Sequence, residues 1–371
     1  MKKTIPFFKA EEIAEKSWMI KNAFVDNSYA ICYLVEGTDY ALLIDSIIGL
    51  GNLKAFCETL TDKPIRVVNT HYHSDHVGGN FHFDHCYLHY RDIAAFQKCI
   101  GVKKEQLVEL AKKTALEEYR DLIEPDENFA DWNAIRVFPI CDGDVFDLGD
   151  RKIEVVEVGG HTAGSVVLID HKTRIAYSGD ACNGNTLLEF PDSLPILSYM
   201  RNLLHLKEHQ QEFDMMYGGH EIFDPSIIDE AIETVARVLA GTDDRFERPG
   251  MLGGTVYYAA AKVKDGYERA DGKRFNMSYI PSQVNIPEEK KQVIRTEQNR
   301  TKRTGTQRKR GNRNDAGPQH CGRSAGPGGE DRRRFCRNLS GGHYKIQYCL
   351  EVRTDRIHGN GPGTRGRYPG V

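Results

Sequence analysis

The sequence predicts an α+β fold: two β-sheets packed together, helices on the outside, and a site at the ends of the strands. Three observations predict it. β-rich runs recur in two batches, before and after a helical stretch at residues 91–124. Several strand candidates break at glycine and then present a histidine or aspartate, as in Gly159-Gly160-His161, Gly179-Asp180 and Gly218-Gly219-His220. The apolar run Ile65-Arg66-Val67-Val68 leads into His71-Tyr72-His73-Ser74-Asp75-His76, three histidines and an aspartate within six residues. Strands with apolar faces on both sides of a helical stretch are best buried as two packed sheets.

In chain order, residues 17–46 read as strands. Ser28–Val35 and Tyr40–Asp45 form a hairpin about the turn-forming Glu36-Gly37-Thr38-Asp39, and the second strand ends in Asp45. Residues 51–61 read as a helix, 65–69 as a strand, and a short helix is expected near His76, with Gly78-Gly79 letting backbone approach the site. Cys86–Tyr90 is a further strand. Short strands at 135–138 and 145–148 flank Cys141-Asp142-Gly143-Asp144. Residues 153–158 alternate apolar and acidic, and 165–170 with 174–180 make another hairpin. A helix follows at 195–211 with Leu203, Leu206 and Gln210 on one stripe, then a strand at 213–217, and a helix from Pro225 to about Leu239. Gly254–Lys264 and Phe275–Ile280 close the patterned region about the turn Asp271-Gly272.

The chain of 371 residues is 40% hydrophobic and 28% charged, which suits a globular domain with a sizeable core and excludes a fibrous or low-complexity chain. The net charge of −3 hides a split. Residues 291–371 carry 19 Lys and Arg against 6 Asp and Glu, and 14 of the 35 glycines. Residues 1–290 carry 31 basic against 47 acidic residues. The predicted organisation is therefore one domain, residues 1–286, followed by a basic, Gly/Arg-rich tail, residues 287–371. For the tail, a disordered linker, a nucleic-acid-binding arm and an out-of-frame end all fit. Aromatic residues are sparse among its charges, which weighs against nucleic acid. No apolar run approaches the roughly 20 residues of a membrane span. The nine cysteines are scattered without a C-x-x-C pair, and the basic Met1-Lys2-Lys3 start is not followed by an apolar signal core. The expectation is a cytoplasmic protein with reduced thiols.

The chemistry starts from spacing. His71 and His73 lie two apart and face one side of an extended chain. Asp75 and His76 follow where the chain turns. Imidazole and carboxylate together suit zinc, iron or manganese. One loop cannot supply a dinuclear site, and His161, Asp180 and His220 are the later residues with matching surroundings.

H-x-H-x-D-H, then G-H-T-x-G-S, then S-G-D, then G-G-H resembles the ordered ligand pattern of the metallo-β-lactamase superfamily across residues 17–285. The resemblance implies an αββα four-layer sandwich. It implies that His71, His73 and His161 bind one metal, that Asp75, His76 and His220 bind the other, and that Asp180 bridges both. Asp45 matches a buried family aspartate that orients the metal loop. The implied cofactors are two Zn²⁺ ions, with Fe or Mn as alternatives. The implied chemistry is attack by a hydroxide shared between the metals, with Asp75 as candidate proton shuttle.

Departures narrow the branch. His73 stands where the flavo-diiron oxygen reductases carry glutamate, and Asp180 where the best-known antibiotic-degrading lactamases carry cysteine. The site is thus closer to glyoxalase II and the lactonases, although the basic helical domain of glyoxalase II is not found. Cys182 is set aside as a ligand, and so are His82, His85, His89, His171, His205 and His209. The expected function is zinc-dependent hydrolysis of an ester, thioester, lactone or related acyl bond in a small-molecule substrate. Phosphodiester hydrolysis, or an iron-binding redox or sensor role, is the alternative. Specificity is assigned to residues 91–133 and 183–200, and Phe7, Phe8, Trp18, Tyr72 and Tyr199 are pocket or packing residues.

Overall fold

The computed structural model describes residues 4–26, 28, 30–263 and 268–284. A seven-stranded sheet runs in sequence order: Phe8–Ala14, Ser17–Asn22, Cys32–Glu36, Ala41–Ile44, Ile65–Val68, His85–His89 and Arg136–Ile140. The first four strands pair antiparallel and the remaining ones parallel. A six-stranded sheet has the spatial order Ile222–Phe223, Met215–Gly218, Ile175–Gly179, Val166–Asp170, Lys152–Glu157, Val145–Asp147. The turn at 141–144 carries the chain from one sheet to the other.

The layers follow from which residues are apolar on both faces. Cys32–Glu36, Ala41–Ile44 and Val166–Asp170 are buried at every position, the signature of strands covered on both sides. Tyr33, Leu42, Ile44 and Val68 of the first sheet meet Val155, Val166, Leu168 and Tyr177 of the second. The other face of the first sheet packs Leu34, Leu43, Val67 and Leu88 with Leu53, Cys57 and Phe96 from short helices. The other face of the second packs Val156, Val167 and Ala176 against helices Ile196–Glu208 and Ile227–Ala240. The expected four-layer αββα order is therefore present.

A third, four-stranded sheet departs from the two-sheet expectation: Thr186–Leu188, Met277–Tyr279, Thr255–Tyr258, Phe246–Pro249. Thr186–Leu188 pairs in parallel with Met277–Tyr279, about ninety residues away, so no local period announces it. The edge strand Phe8–Ala14 is also unannounced, because four of its seven residues are exposed and its pattern is too polar to read. The helix expected over 51–61 is only Leu53–Cys57, capped by Asn52, whose side chain accepts from the Ala55 amide at 3.0 Å. Helix Ser74–Val77 begins two residues before His76. Gly78 and Gly79 serve the backbone of residues 46–49 rather than the site. A Cβ on Gly78 would lie 2.2 Å from the Ile48 carbonyl carbon, and one on Gly79 2.5 Å from the Ser46 oxygen.

The boundary near residue 286 and the tail at 287–371 lie outside the described residues. No helix among the described residues is long and apolar enough to cross a membrane. The six cysteines at 32, 57, 86, 99, 141 and 182 are free thiols.

One polar clamp ties the sheets. Arg151 and Asp170 are both buried, and the guanidinium donates to Asp170 Oδ2 through Nε at 2.9 Å and through Nη2. Nη2 also donates to Ser17 Oγ at 2.6 Å, and Nη1 to the carbonyls of Glu15 and Lys16 at 3.3 Å. Removing the acid leaves a buried cation without its counterion. Asp170→Ala is expected to lower unfolding free energy by about 3–5 kcal/mol. Urea denaturation checks this, and a loss below 1 kcal/mol would count against the clamp.

Candidate metal centre

All seven residues named from the sequence come together at the carboxyl ends of the strands. Strand Ile65–Val68 opens into the 69–73 loop, Lys152–Glu157 into the loop that holds His161, Ile175–Gly179 into Asp180, and Met215–Gly218 into His220. Three groups place one ligand atom from each residue within 4.8 Å of one another: His71, His73 and His161; His71, His76 and Asp180; Asp75, His76 and His220. The His71 ring centroid lies 4.8 Å from that of His73 and 4.9 Å from that of His161. Asp180 Oδ2 is 3.7 Å from His161 Nε2 and 3.4 Å from His220 Nε2, and Oδ1 is 3.8 Å from His76 Nε2. Asp180 thus faces both clusters. Asp75 Oδ2 is 3.8 Å from His76 Nε2 and 3.7 Å from His220 Nε2.

Hydrogen bonds set each ring's tautomer. Asp45 Oδ1 accepts from the Thr70 amide at 2.7 Å. Its Oδ2 accepts from Thr70 Oγ1 at 2.8 Å and from His76 Nδ1 at 2.9 Å. Since the Thr70 hydroxyl donates to Asp45, it accepts from His71 Nδ1, 3.2 Å away. His161 Nδ1 lies 2.7 Å from the Leu187 carbonyl, which can only accept. Each ring therefore carries a proton on Nδ1 and turns Nε2 inward.

Those inward atoms meet no partner. His71 Nε2, His76 Nε2, His161 Nε2 and Asp180 Oδ1 are buried without a hydrogen-bond partner. Orphaned buried polar atoms are costly in an ordinary core, and three imidazole nitrogens with a carboxylate oxygen converging on one space fit the donor set of a cation. The residues present fit a metal.

The electrostatics divide the two clusters. Burial, then the neighbouring histidines, holds His71 well below the ordinary imidazole range, and burial and His161 lower His73 to about 2. Burial also keeps His161 low. These rings are neutral and ready as ligands. Burial opposes charge on His76 too, but Asp75, Asp45 and Asp180 outweigh it and push it up to about 10. His220 is raised by Asp180 against the same opposition. Asp180, despite burial, is held well below the carboxylate range by His220 and His76.

Glycines make the room. A Cβ on Gly219 would lie 2.4 Å from His76 Cε1 and 2.7 Å from Asp180 Oδ1. Gly179 has φ +48°, and a side chain there would collide with Thr70 Oγ1. Asp92 is the main positioning residue that the sequence did not announce. Its buried carboxylate accepts from Thr162 Oγ1 and the Gly164 amide, both at 2.7 Å, and so braces the His161 loop. Phe190 was missed as well; its ring centroid is 5.2 Å from His73 and 5.7 Å from His161. Tyr72 packs at 4.8 Å on His73 and donates to Asp192, joining two loops at the mouth. Only the adjacency of Thr70 to His71 was a readable signal. The other contacts depend on loops meeting in space.

The residues set aside as ligands stay apart from these seven, although His209 forms a separate group with Glu154 and Glu212, one ligand atom of each within 4.8 Å of the others. Cys182 is buried in the core, outside all three groups. His89 faces Glu157 at 3.4 Å, His171 Glu154 at 2.9 Å, His205 Asp142 at 3.0 Å and His209 Glu212 at 3.0 Å. Of the five aromatic candidates, Tyr72 alone contacts a site histidine; Tyr199 is core, its hydroxyl donating to the Ala181 carbonyl at 2.8 Å.

The Metallo-beta-lactamase superfamily model matches residues 28–240, more than half of the chain. The chain belongs to the metallo-β-lactamase superfamily. It is similar to the human acyl-coenzyme A thioesterase MBLAC2, 27% identical over 188 residues, 47% of this chain and 65% of that protein. The chicken acyl-coenzyme A thioesterase MBLAC2 is 26% identical over 203 residues, 52% of this chain and 71% of that one. The match thus spans slightly less than two thirds of the human relative. Among solved structures, the metallo-β-lactamase FIM-1 from Pseudomonas aeruginosa in its mono-zinc form is 16% identical, covers 62% of this chain and 96% of its own, and superposes with a TM-score of 0.45.

Asp45→Ala removes the acceptor for three donors at once, two of them set beside metal-facing rings. Metal affinity, measured by chelator competition, is expected to fall about 10–100-fold. An unchanged affinity would remove Asp45 from the support of the site.

Proposed function

We propose that the chain is a zinc-dependent hydrolase of acyl bonds, with a thioester as its preferred substrate class. The observation that carries the metal half is the convergence of three buried Nε2 atoms and Asp180 Oδ1 with no partner. The similarity to acyl-coenzyme A thioesterases supports the thioester half.

In this reading His71, His73 and His161 would hold one zinc ion and Asp75, His76 and His220 the second, with Asp180 facing both clusters. Bound zinc supplies Lewis acidity and a nucleophilic water whose pKa is near neutrality. The chain's own residues do the rest. Asp45 and Thr70 hold the ring tautomers that keep Nε2 free. Phe190 and Tyr72 wall the His73 side against water. Asp75 remains partly exposed, with Oδ2 near both His76 and His220, and is the carboxylate placed to carry a proton between the site and solvent. No serine or cysteine nucleophile is required.

His73→Ala and Asp180→Ala are each expected to abolish hydrolysis and to lower bound metal. Full activity in either variant would sink the assignment. A panel of thioesters, esters, lactones and phosphodiesters, with metal analysis by mass spectrometry, decides the class. Turnover of phosphodiesters alone, or iron as the bound metal with no hydrolysis, would replace this reading with one of its alternatives.

The pH dependence differs between the two clusters. His76 is raised to about 10 and is protonated at neutral pH in the metal-free chain, and Asp180 raises His220 as well, so loading there must release protons and must weaken as pH falls. His71, His73 and His161 are lowered and already neutral, so loading there is expected to change little through the same range. Calorimetry in buffers of different ionisation enthalpy reads the proton release. Equal release for both equivalents of zinc would contradict the division.

A further inference from the structure

Another group of ligand-type side chains lies away from the seven-residue centre. One ligand atom each of Glu154, His209 and Glu212 lies within 4.8 Å of the others. His171 joins them. Its Nε2 is 2.9 Å from Glu154 Oε2 and its Nδ1 3.7 Å from Glu212 Oε2, while His209 Nδ1 is 3.0 Å from Glu212 Oε1. The four come from four places in the chain. Glu154 is on strand Lys152–Glu157, His171 follows strand Val166–Asp170, His209 caps helix Ile196–Glu208 at its C-terminus, and Glu212 ends the single turn Gln210–Glu212.

Strand register fixes the place of the group. The two strands run antiparallel, with Val166 opposite Glu157 and Ile169 opposite Glu154. His171 is therefore at the end of the sheet away from the loop that holds His161. Val156 shares a core cluster with Leu203 and Leu206 of the helix. Glu154, two residues before Val156, is on the same face and turns toward the layer that supplies His209 and Glu212.

Two carboxylates this close repel each other unless positive charge lies between them. Lysine and arginine do not supply it: among the described residues, Glu154 and Glu212 form ion pairs only with His171 and His209. The nearby Lys172 is paired with Asp150 and Glu15, and Arg174 with Asp214. Imidazole is not a permanent cation, and in its neutral form it is a metal ligand. Side-chain exposures from 19% for His209 to 39% for His171 leave the group within reach of an ion from solvent.

We propose that Glu154, His171, His209 and Glu212 form a separate zinc site that pins the end of helix Ile196–Glu208 to the second sheet. Two imidazole nitrogens and two carboxylate oxygens make a complete four-ligand set, which suits zinc and leaves no open position for a substrate. The site is structural, and it is independent of what the seven-residue centre hydrolyses.

The test uses the full chain. Zinc is added until the seven-residue centre is saturated, and further zinc is followed by calorimetry and by metal analysis after gel filtration. Wild-type chain is expected to hold one equivalent more than Glu154→Gln, Glu212→Gln, His171→Ala or His209→Ala. Each variant is expected to weaken that equivalent about a hundredfold or more, since loss of even a supporting group costs about 10–100-fold. His205→Ala, one turn earlier on the helix and paired with Asp142, is expected to retain it. The extra equivalent is also expected to raise the urea midpoint of the wild-type chain and to leave that of Glu154→Gln unchanged; the midpoint of this variant before the addition checks that it folds. Equal zinc content in wild type and all four variants would assign any extra ion to another part of the chain and overturn the proposal. Loss in the histidine variants but not in the glutamine variants would mean an adventitious ion only, and would overturn it too. So would a wild-type equivalent no tighter than about 1 mM.

Discussion

The site depends on one carboxylate. Asp45 accepts from the Thr70 amide, the Thr70 hydroxyl and His76 Nδ1. Through Thr70 it also sets the tautomer of His71. Without it, the two rings would have no reason to keep Nε2 bare in a buried position. Asp45 itself sits at φ +59°, a left-handed conformation that aspartate tolerates better than most residues. Ile47 follows at φ +55°, which a β-branched residue adopts only under constraint. The constraint is visible: the Gly78 amide donates to the Ile47 carbonyl at 2.7 Å and the Gly79 amide to the Ser46 carbonyl at 3.0 Å. The loop that supplies Asp45 is thereby locked to the helix that supplies Asp75 and His76.

The sandwich makes this arrangement rigid. Both sheets bury both faces, so the strand ends that carry His71, His161, Asp180 and His220 have little freedom to move apart. Arg151, paired with Asp170 in the second sheet, clamps it to the first by donating to Ser17 Oγ and to the Glu15 and Lys16 carbonyls, and Tyr33 adds a neutral link, its hydroxyl donating to the Gly218 carbonyl at 2.6 Å. That second link reaches from the first sheet to the strand that ends in His220. Orphaned acceptors destabilise the metal-free protein, and a rigid frame is what prevents the rings from turning away to find other partners.

Much of the frame was legible because its determinants are local. Alternation in residues 153–158, the hairpin at 165–180 and the run before His71 each reflect strands whose pattern is complete within a few residues. The third sheet was not legible, because Thr186–Leu188 is a strand only by virtue of a partner near residue 278. The polar edge strand Phe8–Ala14 was lost for a related reason: an edge needs little apolar surface, so its sequence carries little period.

The sequence by itself determined the ligand types and their order, since His71, His73, Asp75 and His76 are held within one turn whatever the rest of the chain does. It also marked His161, Asp180 and His220, each announced by a strand and a glycine. Tertiary structure alone decided which of the seven side chains lie near one another, because that depends on distances between strand ends from two sheets. It also decided their protonation. His73 and His76 are three residues apart, one just before and one within helix Ser74–Val77, yet burial and His161 lower the first while Asp75, Asp45 and Asp180 raise the second. A pKa is set by the charges that folding brings near, and no spacing within the motif contains them.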